Sequence, residues 1–301
     1  MTPLQFRDSV RLRPGMYIGG TGEQGVLELV SELVANAIDQ HWAGRCSAID
    51  VAVFDGEITV RDDGPGMAEP ARYFERPSDQ PTVDGHRPHV HITSRGIGLP
   101  VVNALSERLG VSTIRDGTES RAIYERGELV EPWTSIATTA PSGTTIRFRC
   151  DRQVFRTTMP PHGAVEQRLE VLAHLLPKLD FGRGQTGVGL PGRVARRAGC
   201  AVADIVHARE VVETPTGPVD VELALAFTDA PTSIESFVNL MRTHNGGTHV
   251  AGLRAALGKR RAMGALSVIL ADVAFGNPAQ DRLVTPAARR AVRAVAERAL
   301  K

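Results

Sequence analysis

The chain has 301 residues, with 35 basic and 34 acidic side chains and a formal net charge of +1. This balance excludes a protein that binds nucleic acid through a strongly positive overall charge. A local basic patch remains compatible with the composition. Three cysteines without CxxC spacing predict neither a disulfide framework nor a zinc site. The N-terminal segment lacks the apolar core of a signal peptide, and no apolar run reaches the roughly 20 residues that cross a membrane. We therefore expect a soluble, cytoplasmic protein.

The first long element is a helix predicted over residues 23–42, where apolar residues recur at helical spacing. Glu32, Asn36 and Asp39 form a polar stripe on this helix that is about one side chain wide. Apolar residues occupy both flanks of the stripe. Such a narrow stripe fits the wall of a pocket, and an ordinary solvated helix face is the alternative interpretation.

A β-hairpin and two glycine motifs follow the helix. Residues 48–54 and 57–62 predict two strands joined at Asp55-Gly56. The motif DDGPG at 62–66 fits either a simple turn or a site where glycines let the backbone approach a ligand and a carboxylate accepts a hydrogen bond. The irregular segment 68–95 predicts a long loop of the kind that forms lids. It ends in SRGIG at 94–98, which is either a helix cap or a phosphate site at a helix start.

The remaining pattern predicts further helices and strands and a change of organisation near residue 208. We therefore predict one domain over residues 1–208 and a second over 209–301. Predicted strands cover 111–116, 119–127, 143–150, 219–227, 233–241 and 265–275, and predicted helices cover 99–109, 166–179, 248–262 and 285–301.

The order of these motifs resembles the GHKL ATP-binding family. The motifs follow one another as they do in that family: ExxxNxxD on a helix, DxGxG after a hairpin, a loop, GxG before a helix, and Gly143-Thr144 on a strand. RPGMYIG at 13–19, VVNALS at 101–106 and GGTHVAGLRAAL at 246–257 resemble the gyrase B family, which includes the related protein of topoisomerase IV. The resemblance implies an α+β protein: a GHKL (Bergerat) α/β sandwich followed by a transducer-like βαβ domain similar to ribosomal protein S5 domain 2.

The resemblance also implies ATP and Mg²⁺ as cofactors and assigns roles to single residues. Glu32 matches the general base that activates the attacking water, Asn36 matches the Mg²⁺ ligand, and Asp62 matches the carboxylate that binds adenine. Thr144 lies beside the last of these. The other residues implied in cofactor binding are Asp39, Gly64, Gly66, Met67, Arg95, Gly96, Ile97, Gly98 and Gln280.

Four departures from the family pattern affect the expected activity. The family has a Gln-Thr-Lys trio that reaches the γ-phosphate, and this chain has Pro278, Ala279 and Gln280 at those positions. The positive charge of the lysine is therefore missing unless Arg282 replaces it. Gln40 and Pro65 replace a Glu–Arg pair at the adenine. The lid segment is shorter than the family's, and the N-terminal arm that crosses between protomers is nearly absent.

These features lead to one leading hypothesis and two alternatives. The first is a stand-alone gyrase B-like protein that binds ATP, hydrolyses it slowly with Mg²⁺ and lacks the DNA-cleavage modules. The others are a non-hydrolysing nucleotide switch and a fold repurposed as a phosphotransferase or biosynthetic enzyme. A protein partner or a homodimer through the ATP domain is possible, DNA contact is not favoured, and no membrane is expected. The basic residues considered for DNA are Lys259, Arg260, Arg261, Arg289, Arg290 and Arg293, and the histidines considered for a metal are His86, His89 and His91.

Overall fold

The computed structural model describes residues 3–75, 98–182, 188–277 and 280–301. The chain forms two compact units. The first comprises Met1–Leu169 and Lys178–Thr186, and the second comprises Glu170–Pro177 and Gly187–Lys301. Residue 208, where the sequence predicts a boundary, lies in the second unit within a strand that pairs with the strand beginning at Val219. The change of pattern at 208 therefore lies inside the second unit, not at its edge.

The described helices and strands cover most of both units. The helices are α1 (Pro3–Leu12), α2 (Gly15–Ile18), α3 (Glu23–Trp42), α4 (Pro70–Glu75), α5 (Leu99–Ala104), α6 (Ala164–Leu175), α7 (Gly189–Ala198), α8 (Thr248–Leu257) and α9 (Pro286–Ala299). The strands are β1 (Ile49–Phe54), β2 (Glu57–Asp62), β3 (Ser106–Arg115), β4 (Thr118–Glu125), β5 (Glu128–Ala137), β6 (Gly143–Cys150), β7 (Val206–Val212), β8 (Val219–Phe227), β9 (Ser233–Val238), β10 (Met241–Arg242) and β11 (Ala262–Leu270). Among these described residues, no helix is long and apolar enough to cross a membrane.

The sheet of the first unit has the strand order β1-β2-β6-β3-β4-β5, and every neighbouring pair is antiparallel. The predicted hairpin is confirmed: Asp55 and Gly56 both have positive φ, as a two-residue turn between twisted strands requires. Helices α3 and α5 pack against this sheet. Pairing of β2 with β6 sets Asp62 directly opposite Thr144, two residues that are far apart in the sequence.

The sheet of the second unit has the order β10-β9-β11-β8-β7. Strands β9 and β11 are parallel and are connected through α8, which makes the predicted βαβ arrangement. Helices α8 and α9 pack on each other and bury the main apolar core of this unit, which includes Leu223, Leu253 and Val292. The fold class predicted from the sequence is thus confirmed, with two sheets in the α+β arrangement expected.

Two predicted elements differ clearly from the observed ones in their bounds, and several observed elements were not predicted. The helix predicted over 99–109 ends at Ala104, because Ser106 begins a strand that pairs with β6. The strand predicted over 265–275 instead runs from Ala262 to Leu270. The described elements that the sequence did not indicate are α1, α2, α4, α7, β5 and β7. Of these, α4 lies inside the segment 68–95 that the sequence predicted as a long loop.

Candidate functional site

The polar stripe of α3 is buried, which excludes the solvated-face interpretation. Glu32 is only 5% exposed and Asp39 only 9% exposed, while Asn36 is partly exposed. The flanking apolar side chains, such as Leu33 and Ile38, are buried as well. Because burying a carboxylate is costly unless other groups solvate it, the stripe needs partners from neighbouring elements or from a ligand.

Glu32 binds the backbone at the start of α5. The Gly98 N–H donates to Glu32 Oε1 at 2.8 Å. Gly98 has φ of 75°, a conformation that favours glycine. This contact holds the carboxylate at the C-terminal end of segment 76–97, whose residues Arg95, Gly96 and Ile97 lie outside the described residues.

Asn36 bonds back to its own helix. Its Nδ2 donates to the Glu32 carbonyl oxygen at 2.9 Å. The donor half of the amide is therefore engaged, and the amide oxygen is left as an acceptor for a cation or a ligand donor.

Asp62 ends β2 with its carboxylate held by two backbone amides. The Gly64 N–H donates to Asp62 Oδ1 at 2.9 Å, and the backbone N–H of Thr144 also donates to the carboxylate. Burial nevertheless raises the pKa of Asp62 to about 6, because desolvation outweighs these two hydrogen bonds. The carboxylate is thus charged at neutral pH but close to its titration range.

A cavity of about 100 Å³ joins the stripe of α3 to the ends of β2 and β6. This volume is below that of a site that holds a whole drug-sized ligand. The predicted site residues that line it are Asn36, Asp39, Asp62, Gly66, Met67 and Thr144. Its other lining residues are Leu33, Ala37, Gln40, Val60, Pro65, Ala68, Tyr73, Leu99 and Ile146.

Hydroxyl and backbone groups connect the cavity wall to the sheet. The Met67 N–H donates to Thr113 Oγ1 at 2.8 Å, and Thr113 Oγ1 lies 3.3 Å from Thr144 Oγ1. The loop after β2 is therefore tied to β3 and β6 through two buried threonines. The sequence had singled out Thr144 but not Thr113, because a threonine inside a strand pattern carries no sign of its neighbour across the sheet.

The two glycines of the DxGxG motif serve the packing of the loop. A Cβ on Gly66 would lie 2.2 Å from the carbonyl oxygen of Ile114, and Gly66 has φ of 71°. A Cβ on Gly64 would lie 2.7 Å from Asp62 Oδ1. Gly66 lines the cavity because β3 and the loop approach each other this closely.

We expect Gly66→Ala to destabilise the protein by about 3 kcal/mol, because it combines left-handed backbone strain with a steric conflict at the Ile114 carbonyl. Gly44 provides the matched control: it has φ of 72°, and a Cβ there would meet nothing within 4 Å. Gly44→Ala should cost only about 1 kcal/mol. Urea unfolding of both variants gives the comparison, and equal losses would contradict the close contact at Gly66.

Several predicted residues are not among those that line this cavity, or lie outside the described residues. Glu32 and Gly64 adjoin its lining residues but do not themselves line it. Gln280 lies in the second unit with φ of 54°, and its N–H donates to the Asn277 carbonyl oxygen. Pro278 and Ala279 lie outside the described residues, as do His86, His89 and His91. Within the described part of the chain, no group of three or more His, Cys, Asp or Glu side chains is arranged to hold a metal.

One surface depression of the first unit and one group of basic residues of the second unit include none of the predicted site residues. A depression of about 800 Å³ lies on the first sheet and is lined by Arg108, Arg121 and Arg147 among others. It is larger than the cavity at α3 but contains none of the predicted site residues. The six basic residues considered for DNA are exposed in the second unit. Arg293 is paired with Glu297, and DNA contact stays a prediction.

Comparison with known proteins places both units in one family. The model for histidine kinase-, DNA gyrase B- and HSP90-like ATPases matches residues 21–154, and the DNA gyrase B model matches residues 199–263. The DNA gyrase B protein of Thermotoga maritima is 35% identical over an alignment 284 positions long, gaps included, that covers 84% of this chain and 44% of that protein. The chain belongs to the gyrase B family of GHKL ATPases. The DNA gyrase B protein of Mycolicibacterium smegmatis is 32% identical over an alignment 318 positions long, gaps included, that covers 85% of this chain and 46% of that protein.

Solved structures agree with this assignment. The crystal structure of the 43K ATPase domain of Thermus thermophilus gyrase B, in complex with an aminocoumarin, matches with a TM-score of 0.74 and 26% identity, over 98% of this chain and 88% of that chain. The gyrase B protein of Myxococcus xanthus has the same fold, with a TM-score of 0.77 at 22% identity over 98% of this chain and 94% of that chain. The chain spans less than half the length of the curated relatives above.

Proposed function

We propose that this gyrase B-like chain binds ATP with Mg²⁺ at the cavity beside α3 and hydrolyses the ATP slowly. The observation that carries the proposal is the convergence of Asn36, Asp62 and Thr144 on one cavity, with Glu32 on the same helix face as Asn36. These side chains come from α3, β2 and β6. Buried polar groups from three elements around one cavity are what a specific polar ligand requires.

In this proposal Asp62 binds the adenine ring. Its carboxylate is an acceptor, and the exocyclic amine of adenine is a donor. The two backbone amides that bind the carboxylate fix its orientation before the ligand arrives. Apolar side chains such as Val60 and Ile146 provide the surface on which the flat ring packs.

Asn36 is the residue that would hold Mg²⁺. Its amide oxygen is a hard ligand of the kind that Mg²⁺ prefers, and the bond from its Nδ2 to the Glu32 carbonyl orients the amide. A single protein ligand fits this ion, which usually keeps several waters and binds substrate phosphates. When bound, Mg²⁺ would neutralise charge on the phosphates.

Glu32 acts as the general base. Its carboxylate accepts the proton of the water that attacks the terminal phosphate, and the Gly98 N–H holds the carboxylate in one orientation. Turnover is slow in this proposal because Gln280 occupies the sequence position where the family has its lysine, and loss of one contact to the transferring phosphoryl commonly costs on the order of 10² to 10³ in rate.

The test is phosphate release measured beside nucleotide binding, with ATP and Mg²⁺. Slow turnover with binding supports the hydrolase, whereas tight binding without turnover favours the alternative of a nucleotide switch. Transfer of labelled γ-phosphate to a cellular acceptor would favour the phosphotransferase alternative. Lack of binding to any adenine nucleotide would overturn all three. A homodimer or a protein partner of the first unit, and a cytoplasmic location, remain parts of the same proposal.

The affinity for ATP should fall as the pH is lowered from 7 to 5. Above its pKa of about 6, Asp62 is ionised and accepts the hydrogen bond of the amine, and below that pH it is protonated and binds the amine less well. Calorimetric titrations across this range should show the decrease. The variant Asp62→Ala is the reference, because its remaining pH dependence comes from the phosphates of ATP and from other residues.

The contribution of Asp62 to the stability of the ligand-free protein should change with pH in the opposite direction to the affinity for ATP. The pKa of this carboxyl is raised from 3.8 to about 6, so between these two values the folded state binds more protons than the unfolded state. The contribution of Asp62 to the free energy of unfolding therefore decreases as the pH rises through that range. Affinity and stability that change in the same direction, after subtraction of the reference variant, would contradict this assignment.

A further inference from the structure

Gln40 is a cavity-lining residue with an unsatisfied polar atom. It lies in the last turns of α3 and lines the cavity next to Asp39. Its side-chain oxygen Oε1 is buried and accepts no hydrogen bond from any residue that the structure describes. A buried acceptor without a donor destabilises the folded state, so such atoms in binding sites are candidates for contact with a ligand.

Gln40 and Asp62 flank the same glycine. A Cβ placed on Gly64 would lie 2.7 Å from Asp62 Oδ1 and 3.7 Å from both Cβ and Cγ of Gln40. Both side chains line the one cavity. Pro65, which follows Gly64 in the sequence and lines the cavity, has no backbone N–H to offer. This part of the wall therefore carries two hydrogen-bond acceptors, a carboxylate and an amide oxygen.

Two acceptors on residues that line one cavity match a group that carries two donors. An unsubstituted exocyclic amine on a purine has two N–H bonds, an N-methylated amine has one, and a 6-oxo purine presents an acceptor instead. A site that pairs both hydrogens distinguishes these three bases, because each wrong base leaves a buried acceptor unpaired.

We propose that Gln40 is a second specificity-determining residue for the base: its amide oxygen accepts one N–H of the adenine amine while Asp62 accepts the other. The inference rests on the proposed function, because it requires that an adenine nucleotide occupies the cavity. It assigns to this chain a neutral acceptor at a position where the sequence departs from the family pattern.

The test compares ATP, N6-methyl-ATP and inosine triphosphate on the whole chain. Isothermal calorimetry gives the affinity of each nucleotide for the wild type and for Gln40→Met, which keeps the length of the side chain but has no strong acceptor. Gln167→Met is the matched control, since Gln167 is exposed on α6 and does not line the cavity. Thermal unfolding of each variant without nucleotide shows whether the substitution alters the fold.

We expect the wild type to bind ATP about tenfold more tightly than N6-methyl-ATP, and inosine triphosphate more weakly still. In Gln40→Met the preference for ATP over N6-methyl-ATP should shrink to about twofold, with most of the loss on ATP. Its unfolding temperature without nucleotide should be unchanged or raised, because an unpaired buried oxygen has been removed. Gln167→Met should behave as the wild type.

Three results would overturn the inference. One is an affinity for ATP that is the same in Gln40→Met and the wild type. Another is an equal loss for ATP and N6-methyl-ATP, which would indicate a packing role only. The third is inosine triphosphate binding as tightly as ATP. If ATP binds and one of these results is found, only the inference fails, whereas a wild type that binds no nucleotide at all defeats the proposed function as well.

Discussion

Glu32→Gln should retain nucleotide binding and lose phosphate release by a factor on the order of 10² to 10⁴. The glutamine keeps an oxygen that can accept the hydrogen bond from the Gly98 N–H, so the contact between α3 and the start of α5 is preserved. What the substitution removes is the group that takes up a proton from water. The side chain does not line the cavity at Asp62, so the binding of the base should be unaffected.

The experiment measures phosphate release and nucleotide affinity on the same preparations. Glu23→Gln is the control, because Glu23 is exposed in the first turn of the same helix. A Glu32→Gln variant that releases phosphate at the wild-type rate would remove Glu32 from the proposed mechanism. A variant that no longer binds ATP would instead indicate that the carboxylate helps to hold the ligand or the fold.

The sequence predicted the burial of the polar stripe on α3, because the pattern that determines burial is local there. Twelve of the twenty residues of α3 are buried, and its apolar residues surround the stripe on both sides. Because apolar residues flank the narrow stripe on both sides, its polar side chains cannot reach open solvent easily, and Glu32 and Asp39 are buried as the stripe implied. The hairpin at Asp55-Gly56 was equally local, because its turn residues fix its geometry.

The errors arose where pairing between distant strands decides the structure. Leu105 and Leu109 continue the apolar spacing of α5, but Ser106 pairs with Cys150, and the chain becomes a strand there. Strand β5 is exposed along nearly its whole length, so it lacks the alternation of buried and exposed residues that predicts a strand. In both segments hydrogen bonds to a neighbouring strand outweigh the local pattern.

Helix α7 was missed for a different reason. Its first turn contains Gly189, Pro191 and Gly192, residues that are poor or restricted in helices. Proline is nevertheless tolerated in a first turn, where its missing N–H has no partner in the helix. Burial of Leu190 and Val194 stabilises the helix through contacts that composition alone does not reveal.

Some residues that line the cavity could be predicted from the sequence, but their arrangement could not. The motif order indicated Asp62 and Thr144, yet their direct opposition depends on the pairing of β2 with β6. A glycine is required at position 66 because the Ile114 carbonyl on β3 lies too close for a Cβ, and no local motif specifies this contact. Likewise, the unpaired oxygen of Gln40 is visible only once the surrounding elements are in place.

Asp62→Ala should weaken ATP binding by a factor on the order of 100, with little change for the phosphate-binding parts of the site. The substitution removes a charged acceptor, and hydrogen bonds to charged groups contribute about 1.5–3 kcal/mol. It also leaves the N–H groups of Gly64 and Thr144 without the carboxylate that now binds them. Both effects act on the base, so the loss for ATP should greatly exceed the loss for inorganic triphosphate.

Asp63→Ala is the matched control, because it removes the adjacent carboxylate. Asp63 accepts hydrogen bonds from the backbone amides of Ser47 and Ala48, is exposed, and does not line the cavity. We expect this variant to lose some stability but to bind ATP as the wild type does. If calorimetry gives equal losses of affinity for the two variants, the carboxylate of Asp62 acts through the fold of the loop after β2, and the base must be bound by other groups.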